Sequence, residues 1–418
     1  MGLQTVTEPV LDVLIVGGGP VGLFLGCLLA QRGLGVRVLE RRERPGQHSR
    51  AIGIHPPALK AFRAVGLTAP LLSAGLPITR GLVTGEAAPL GELGFGAASA
   101  DFPFILSLPQ RETEAVLRRR LAELAPGSFR AGAEVLTLRQ ENDCVHVTVR
   151  DNGRRLELRA RHVIGADGWR SAVREALGQP FPGQLYPDKY LMGDFPDTTP
   201  LGQAALVSLT GEGVVESFPL PGQNGAEPGR RWVAHTGKRL LDAPSARDLT
   251  TLIERRTGLH VPAAECRMLS AFEVRRHRVA CMVRGRTVLI GDAAHVVSPI
   301  GGQGMNLGWL DAAALAPLLQ QSLEGRRVDW RHFERTRLRS AAIAGHQAEL
   351  NMAAGRPAGV WGQRWREQLI RRVLRSPRPS RCWPGRSRCA GCRVLAMATL
   401  RGDSGWSGPR RGAPCRAS

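Results

Sequence analysis

Residues 12–23 read Asp-Val-Leu-Ile-Val-Gly-Gly-Gly-Pro-Val-Gly-Leu, and the fold follows from this stretch. The apolar run Val13–Val16 predicts a parallel strand buried on both faces. Gly17, Gly19 and Gly22 then spell G-x-G-x-x-G and open an apolar helix that runs to about Gln31. In such a turn the first glycine allows the tight bend and the second lets backbone approach a pyrophosphate. The third lets helix and strand pack closely. A second strand, from Gly35 to Leu39, ends at Glu40, close to the spacing expected for an acid that binds ribose hydroxyls. Glu40 favours an unphosphorylated ribose, although Arg41 and Arg42 beside it pull the other way.

Two later stretches repeat the theme. Residues 285–311 read Gly-Arg-Thr-Val-Leu-Ile-Gly-Asp-Ala-Ala-His-Val-Val-Ser-Pro-Ile-Gly-Gly-Gln-Gly-Met-Asn-Leu-Gly-Trp-Leu-Asp. The run Val288 to Ile290 predicts a buried strand ending at Gly291-Asp292, where Asp292 can accept hydrogen bonds from a sugar-like hydroxyl. A loop with Gly301, Gly302 and Gly304 leads into a helix starting near Met305. Its N-terminus suits negative charge or an electron-rich carbonyl. Between the two, residues 161–174 again carry an apolar run to Gly165, then Asp167-Gly168 and a helical turn offering Ser171. Three strand ends bearing glycine and acid predict one shared crevice holding a flavin dinucleotide.

In this order and at these separations, the segments resemble the para-hydroxybenzoate hydroxylase family of single-component flavoprotein monooxygenases, over residues 10 to 375. The resemblance implies that Arg50, in Ser49-Arg50-Ala51, lies along the cofactor and that Gln110 contacts the flavin. Asp167 would serve FAD and the nicotinamide cofactor, and Asp292 the ribitol chain. Gly291, Pro299, Gly301, Gly304, Met305 and Asn306 would follow FAD to its isoalloxazine ring. The implied chemistry is reduction of FAD by NADH or NADPH, then reaction with O2 to a C4a-hydroperoxide that hydroxylates an aromatic or polyketide-like small molecule. The cofactor carries that chemistry while the protein orients it.

Composition narrows the class. A chain of 418 residues with 43% apolar residues supports more than one core. No apolar stretch has the length of a membrane span, and the N-terminus lacks the charge-then-apolar order of a secretion signal. The expectation is a cytoplasmic enzyme. The formal charge of +21 suggests nucleic acid, but just three of the 57 basic residues are lysine. Residues 371–418 hold twelve arginines against the single acid Asp403. The body shows no nucleic-acid motif with interleaved aromatics, so no specific nucleic-acid partner is expected. Residues 376–418, rich in Gly, Pro, Arg and Cys, read as a disordered basic tail or an out-of-frame translation. Cys27, Cys144, Cys266 and Cys281 are far apart and read as buried thiols, and no metal is expected.

The fold class expected is α/β: a discontinuous Rossmann-like FAD-binding domain (1–180 and 276–330) with an inserted antiparallel-sheet substrate domain (181–275). A C-terminal helical segment (331–375), broken near Gly355–Gly359, would close it. The runs Arg118–Arg120 and Arg371–Arg372 read as solvated helix faces. No catalytic acid or base is legible. His55, His295 and His235 are candidates, with loop-orienting, core or solvent roles as the plainer readings. Phe218 and Trp232 are candidate pocket aromatics or core. Two alternatives stay open: a reductase (isoprenoid-type) or halogenase of the same fold, and a catalytically impaired FAD-binding protein.

Overall fold

The computed structural model describes residues 9–46, 51–95, 99–222, 227–237 and 243–375. Arg50 and the 376–418 tail therefore lie outside the described residues. The chain forms the expected α/β architecture with two eight-stranded sheets and C-terminal helices.

The first sheet carries the glycine motifs. Strand Leu11–Val16 is parallel to Val36–Glu40 on one side and to Arg154–Gly165 on the other. The latter is parallel in turn to Thr287–Leu289. Val16 pairs with Gly165, and Gly165 pairs with Leu289, so the three predicted strands are neighbours that end level with one another. The crevice at the carboxyl ends of such strands is where open α/β sheets bind ligands.

Between the first two strands runs helix Pro20–Ala30, with Leu23, Phe24, Leu25, Leu28 and Leu29 buried. Burial of each such side chain contributes about 1.5–3 kcal/mol, and a helix apolar all round belongs between layers. It packs against Gly304–Leu323, the helix after the glycine loop. A Cβ at Gly308 would lie 2.5 Å from Val21 Cγ2, so the two helices meet at backbone distance.

The second sheet is wider than the 181–275 stretch. Strands Gly183–Pro196, Ala205–Thr210, Gly213–Leu220, Gly229–Gly237 and Met268–Arg278 are joined at one edge by Arg80–Thr84 and Pro89–Gly94. These two come from the N-terminal part of the chain. Ala205–Thr210 runs parallel to Arg80–Thr84, whereas the other pairings are antiparallel. Helix Ala246–Thr257 covers one face with Leu249 and Ile253. Ser245 and Asp248 cap it reciprocally, and Gly258 ends it with left-handed backbone. Helices Trp330–Gly355 and Val360–Arg375 close the opposite face, interrupted where Pro357 cannot continue a helix.

The basic run at 118–120 differs from its sequence reading. Arg118 lies over the Phe129 ring at 4.5 Å and Arg120 donates from Nε to the Val65 carbonyl at 2.9 Å, so Arg119 alone of the three is exposed.

Candidate cofactor and active site

The three glycines of the first motif meet different surroundings. Gly17 has φ +111°, and a Cβ there would be 2.3 Å from the Ala166 carbonyl oxygen. A Cβ at Gly22 would be 2.0 Å from the Gly17 oxygen. Both sit where chain crosses chain. Gly19, the N-cap of helix Pro20–Ala30, would meet nothing within 4 Å. Its open face, at a helix N-terminus with no side-chain cap, has the form of a cradle that suits an anion such as a pyrophosphate.

Acids ring this cradle. Glu40, buried at the end of its strand, accepts from the Gly18 amide at 2.9 Å and from Arg42 Nε at 2.8 Å. Burial raises its carboxyl, but these bonds outweigh it and leave the group below its usual range. Arg41 is exposed beside it. Asp167 accepts from the Val173 amide at 3.3 Å through Oδ2, while its buried Oδ1 has no partner among the described residues. Asp292 lies deep among protein atoms yet keeps much of its surface uncovered. Burial raises the carboxyls of Asp167 and Asp292 above their ordinary range. An orphaned buried oxygen and a deep, uncovered carboxylate fit a ligand rich in hydroxyls.

Arginine joins the two acidic turns. Arg174 donates to the Ala293 carbonyl at 3.1 Å and to the Trp169 carbonyl at 2.8 Å, with its guanidinium 3.8 Å over the Phe181 ring. Ser171 precedes this helix as its cap, accepting from the Arg174 amide, and is not within its first turn.

Beyond Asp292 the chain turns through exposed Pro299 to Gly301 (φ +95°) and Gly302 (φ +64°). Helix Gly304–Leu323 then begins, again without a side-chain cap, and Met305 packs on the main core. Asn306 pins this corner. Its Oδ1 accepts from the His55 amide at 2.8 Å, and its Nδ2 donates to the carbonyls of Gly53 (2.9 Å) and Gly302 (2.8 Å). The His55 ring faces Gly302, whose Cβ would lie 3.5 Å from Nε2. Burial lowers His55 to about 4, so it is neutral at neutral pH. Gln110 starts helix Gln110–Leu124 beside this corner, donating to Glu114 at 2.8 Å while its amide donates to Ala51.

A model of the FAD binding domain family matches residues 10–345. The chain belongs to this FAD-binding family. It is 35% identical over 321 residues to 6-methylpretetramide 4-monooxygenase of Streptomyces rimosus, covering 75% of this chain and 56% of that one. It is 31% identical over 390 residues to rifampicin monooxygenase of Streptomyces venezuelae, covering 87% and 74%. The solved p-nitrophenol 4-monooxygenase of Pseudomonas putida DLL-E4 has the same fold, with TM-score 0.80, 24% identity and coverage of 88% and 95%. The chain thus spans little more than half of the first of these relatives. FAD is the cofactor of this family, and the cradle, acids and glycine loop fit it.

The remaining histidine candidates are held within the FAD-binding protein's interior. His295 Nε2 is 2.7 Å from Asp311 Oδ2, which also accepts from the Gly291 amide at 3.0 Å. Arg337 Nε donates to Asp311 Oδ1 at 2.6 Å. This buried network orients the strand end carrying Asp292. Burial lowers His295, but Asp311 outweighs it and raises it overall. His235 is buried, not solvent-exposed, with Nε2 3.2 Å from Asp188, which Arg356 grips with two nitrogens. Trp232 is core, packed with Leu249 and Ile253 under the covering helix, and Phe218 packs with Ile78 and Phe95.

Sequence reading missed Asp311, Arg337 and Arg174. Asp311 had a signal: an acid inside the apolar helical run Leu307-Gly-Trp-Leu-Asp-Ala-Ala-Ala-Leu. Burial raises the Cys27 thiol to about 12, as an inert core residue. Among the described residues, no helix is long and apolar enough to cross a membrane.

Proposed function

We propose that this protein is an FAD-dependent monooxygenase that uses NADH or NADPH and O2 to hydroxylate an aromatic or polyketide-like small molecule in the cytoplasm. The observation that carries the reading is the apolar face of the second sheet laid against the glycine loop. Ile300, inside that loop, shares a buried cluster with Tyr190, Met192, Val233 and Phe272 from three strands of the sheet. An apolar sheet face beside the isoalloxazine position suits a planar, apolar substrate. The relatives named above favour oxygen insertion over a reductase reading.

FAD, held by these residues, would supply the redox chemistry of a monooxygenase, with one oxygen atom of O2 in the product and the other in water. The chain's own residues bind and orient. Gly19 and the Pro20–Ala30 N-terminus would hold the pyrophosphate, Glu40 the ribose and Asp292 the ribitol. Backbone donors at the start of Gly304–Leu323, with the positive end of that helix, would face the pyrimidine edge and favour negative charge there. His55, neutral and pinned through Asn306, keeps a second positive charge away from that edge. In this reading residues 1–180, apart from the strands at 80–94, and 276–330 serve FAD, while 181–275 with those two strands roof the substrate.

The test is nicotinamide oxidation by the FAD-loaded protein under 18O2 with a panel of phenols and polycyclic hydroxyquinones. One labelled oxygen in a hydroxylated product supports the proposal. Steady substrate reduction without oxygen would instead establish the reductase.

A further inference from the structure

One row of the sheet face that looks at the glycine loop is apolar except for a carboxyl at its middle and a serine at its end. Strand pairing aligns Val83, Val207, Glu216, Val233, Met192 and Ser270 across five strand contacts. Glu216 thus stands in the middle of the row between Val207 and Val233, and two of its row-mates, Met192 and Val233, share the cluster with Ile300 of the loop. Strand Gly213–Leu220 is also tied to the flavin side, since Ser107, three residues before Gln110, donates to the Pro219 carbonyl at 2.6 Å.

Glu216 has no hydrogen-bonding or ion-pair partner among the described residues. It lies deep among protein atoms, yet part of its side chain stays uncovered. Asp292 shows the same combination at the cofactor position. Both carboxyls keep surface that packed core would cover. Burial alone pushes Glu216 up to about 7. A carboxyl with no partner costs stability unless a ligand satisfies it.

The other charged groups of this face are already paired. Arg231, in the next row, donates twice to Asp194 at 2.6 Å, and Asp188 is shared by His235 and Arg356. The Tyr190 hydroxyl is buried and raised above its ordinary range, first by burial and then by the charge of Glu216. This face therefore offers an acceptor and a negative charge, with no free cation facing them among the described residues.

We propose that Glu216 is a substrate-specificity residue: it accepts a hydrogen bond from a phenolic or enolic hydroxyl and excludes aromatic carboxylates from this face of the sheet. The inference rests on the functional reading above and narrows its substrate class to neutral, hydroxyl-bearing rings. Two negative charges a few ångströms apart in a low-dielectric site repel strongly, whereas a hydroxyl gains a charge-assisted hydrogen bond.

Equilibrium dialysis of the FAD-loaded protein with 1-naphthol and with 1-naphthoate, at about pH 5.5 and about pH 8.5, tests this without turnover. Both pH values lie above the ordinary range of an aromatic carboxylic acid and straddle Glu216. Wild-type protein should bind naphthoate about ten-fold or more weakly at the higher pH. Glu216→Gln, which keeps the shape, should abolish that slope and admit naphthoate. Glu216→Leu should weaken naphthol. A flat naphthoate profile in wild-type protein, or the same slope in Glu216→Gln, would overturn the proposal. The visible spectrum of the same samples separates the two failures. Protein without FAD overturns the cofactor reading, whereas FAD-loaded protein with the wrong slope overturns Glu216 alone.

Discussion

Substituting Asp311→Asn tests whether the buried network beneath Gly291 holds the cofactor strand end in place. The Asp311 carboxylate is fully buried and accepts from the Gly291 amide (3.0 Å), His295 Nε2 (2.7 Å) and Arg337 Nε (2.6 Å). Burial raises this carboxyl, but His295 and Arg337 outweigh it and hold it below the usual range. An asparagine removes the charge and turns an NH2 group either towards Arg337 or towards both the Gly291 amide and His295. His295 can adapt by moving its proton to Nδ1, a buried nitrogen without a partner among the described residues. Arg337 cannot, and it keeps a buried, uncompensated charge. Breaking such a pair costs about 3–5 kcal/mol. At roughly 2 °C per kcal/mol for a chain of this size, the melting temperature should fall by about 6–10 °C. FAD affinity should fall with it, because the Gly291-Asp292 turn loses its anchor. Thermal melts by circular dichroism and FAD titration by fluorescence quenching read both effects. In the double variant with Arg337→Met the loss should be smaller than the sum of the single losses by more than about 1 kcal/mol. A single variant melting within about 1 °C of wild type, or strictly additive losses, would refute the reasoning.

Other consequences can be checked separately. Gly19→Ala should fold and melt like wild type, because its Cβ meets nothing within 4 Å, yet lose at least about ten-fold in FAD affinity. Gly22→Ala, with its Cβ 2.0 Å from the Gly17 oxygen, should destabilise the fold itself by about 1–3 kcal/mol or more, and equal melting of the two variants would contradict this assignment. Asp292→Ala should purify with little or no FAD while keeping its far-ultraviolet spectrum, and normal flavin content would rule out its ribitol role. His162, buried with Nε2 3.0 Å from Ser322 Oγ, is lowered to about 4 by burial and nearby arginines. The unfolded chain therefore binds a proton between about pH 6.5 and about pH 4 that the folded chain does not, and stability should fall through this window as pH drops. Urea melts across this range should show up to about 3 kcal/mol less acid loss in His162→Gln, and superimposable profiles would exclude the effect.

The parts legible in the sequence are those governed by local rules. A buried strand ending in Gly17, Gly165 or Gly291 announces its own turn, because Gly17 and Gly291 take positive φ and a Cβ at Gly165 would lie 2.7 Å from Leu289 Cδ2. The helices at 330–355 and 360–375 were equally visible from the C-terminal helical segment and its Gly355–Gly359 break. The illegible parts depend on register between distant segments. Nothing local in Arg80–Thr84 states that Gly81 will pair with Ala205. Asp311 and Arg337 meet only because two helices cross. Glu216 was passed over because an acid within an alternating strand reads as a solvent-facing position. Only the rows on both sides of it show that its face is covered. The three histidines were ambiguous for the same reason, since a ring's role depends on which distant carboxylate or backbone it meets.

The central claim, that this chain is a competent FAD enzyme reduced by a nicotinamide cofactor, is tested most directly by its visible spectrum. The purified protein, topped up with FAD and freed of excess, should be yellow. It should bleach on anaerobic addition of NADPH or NADH with a hydroxylated polycyclic aromatic present, and recover its colour on admission of O2. A protein that stays colourless after incubation with FAD would contradict the account at its root.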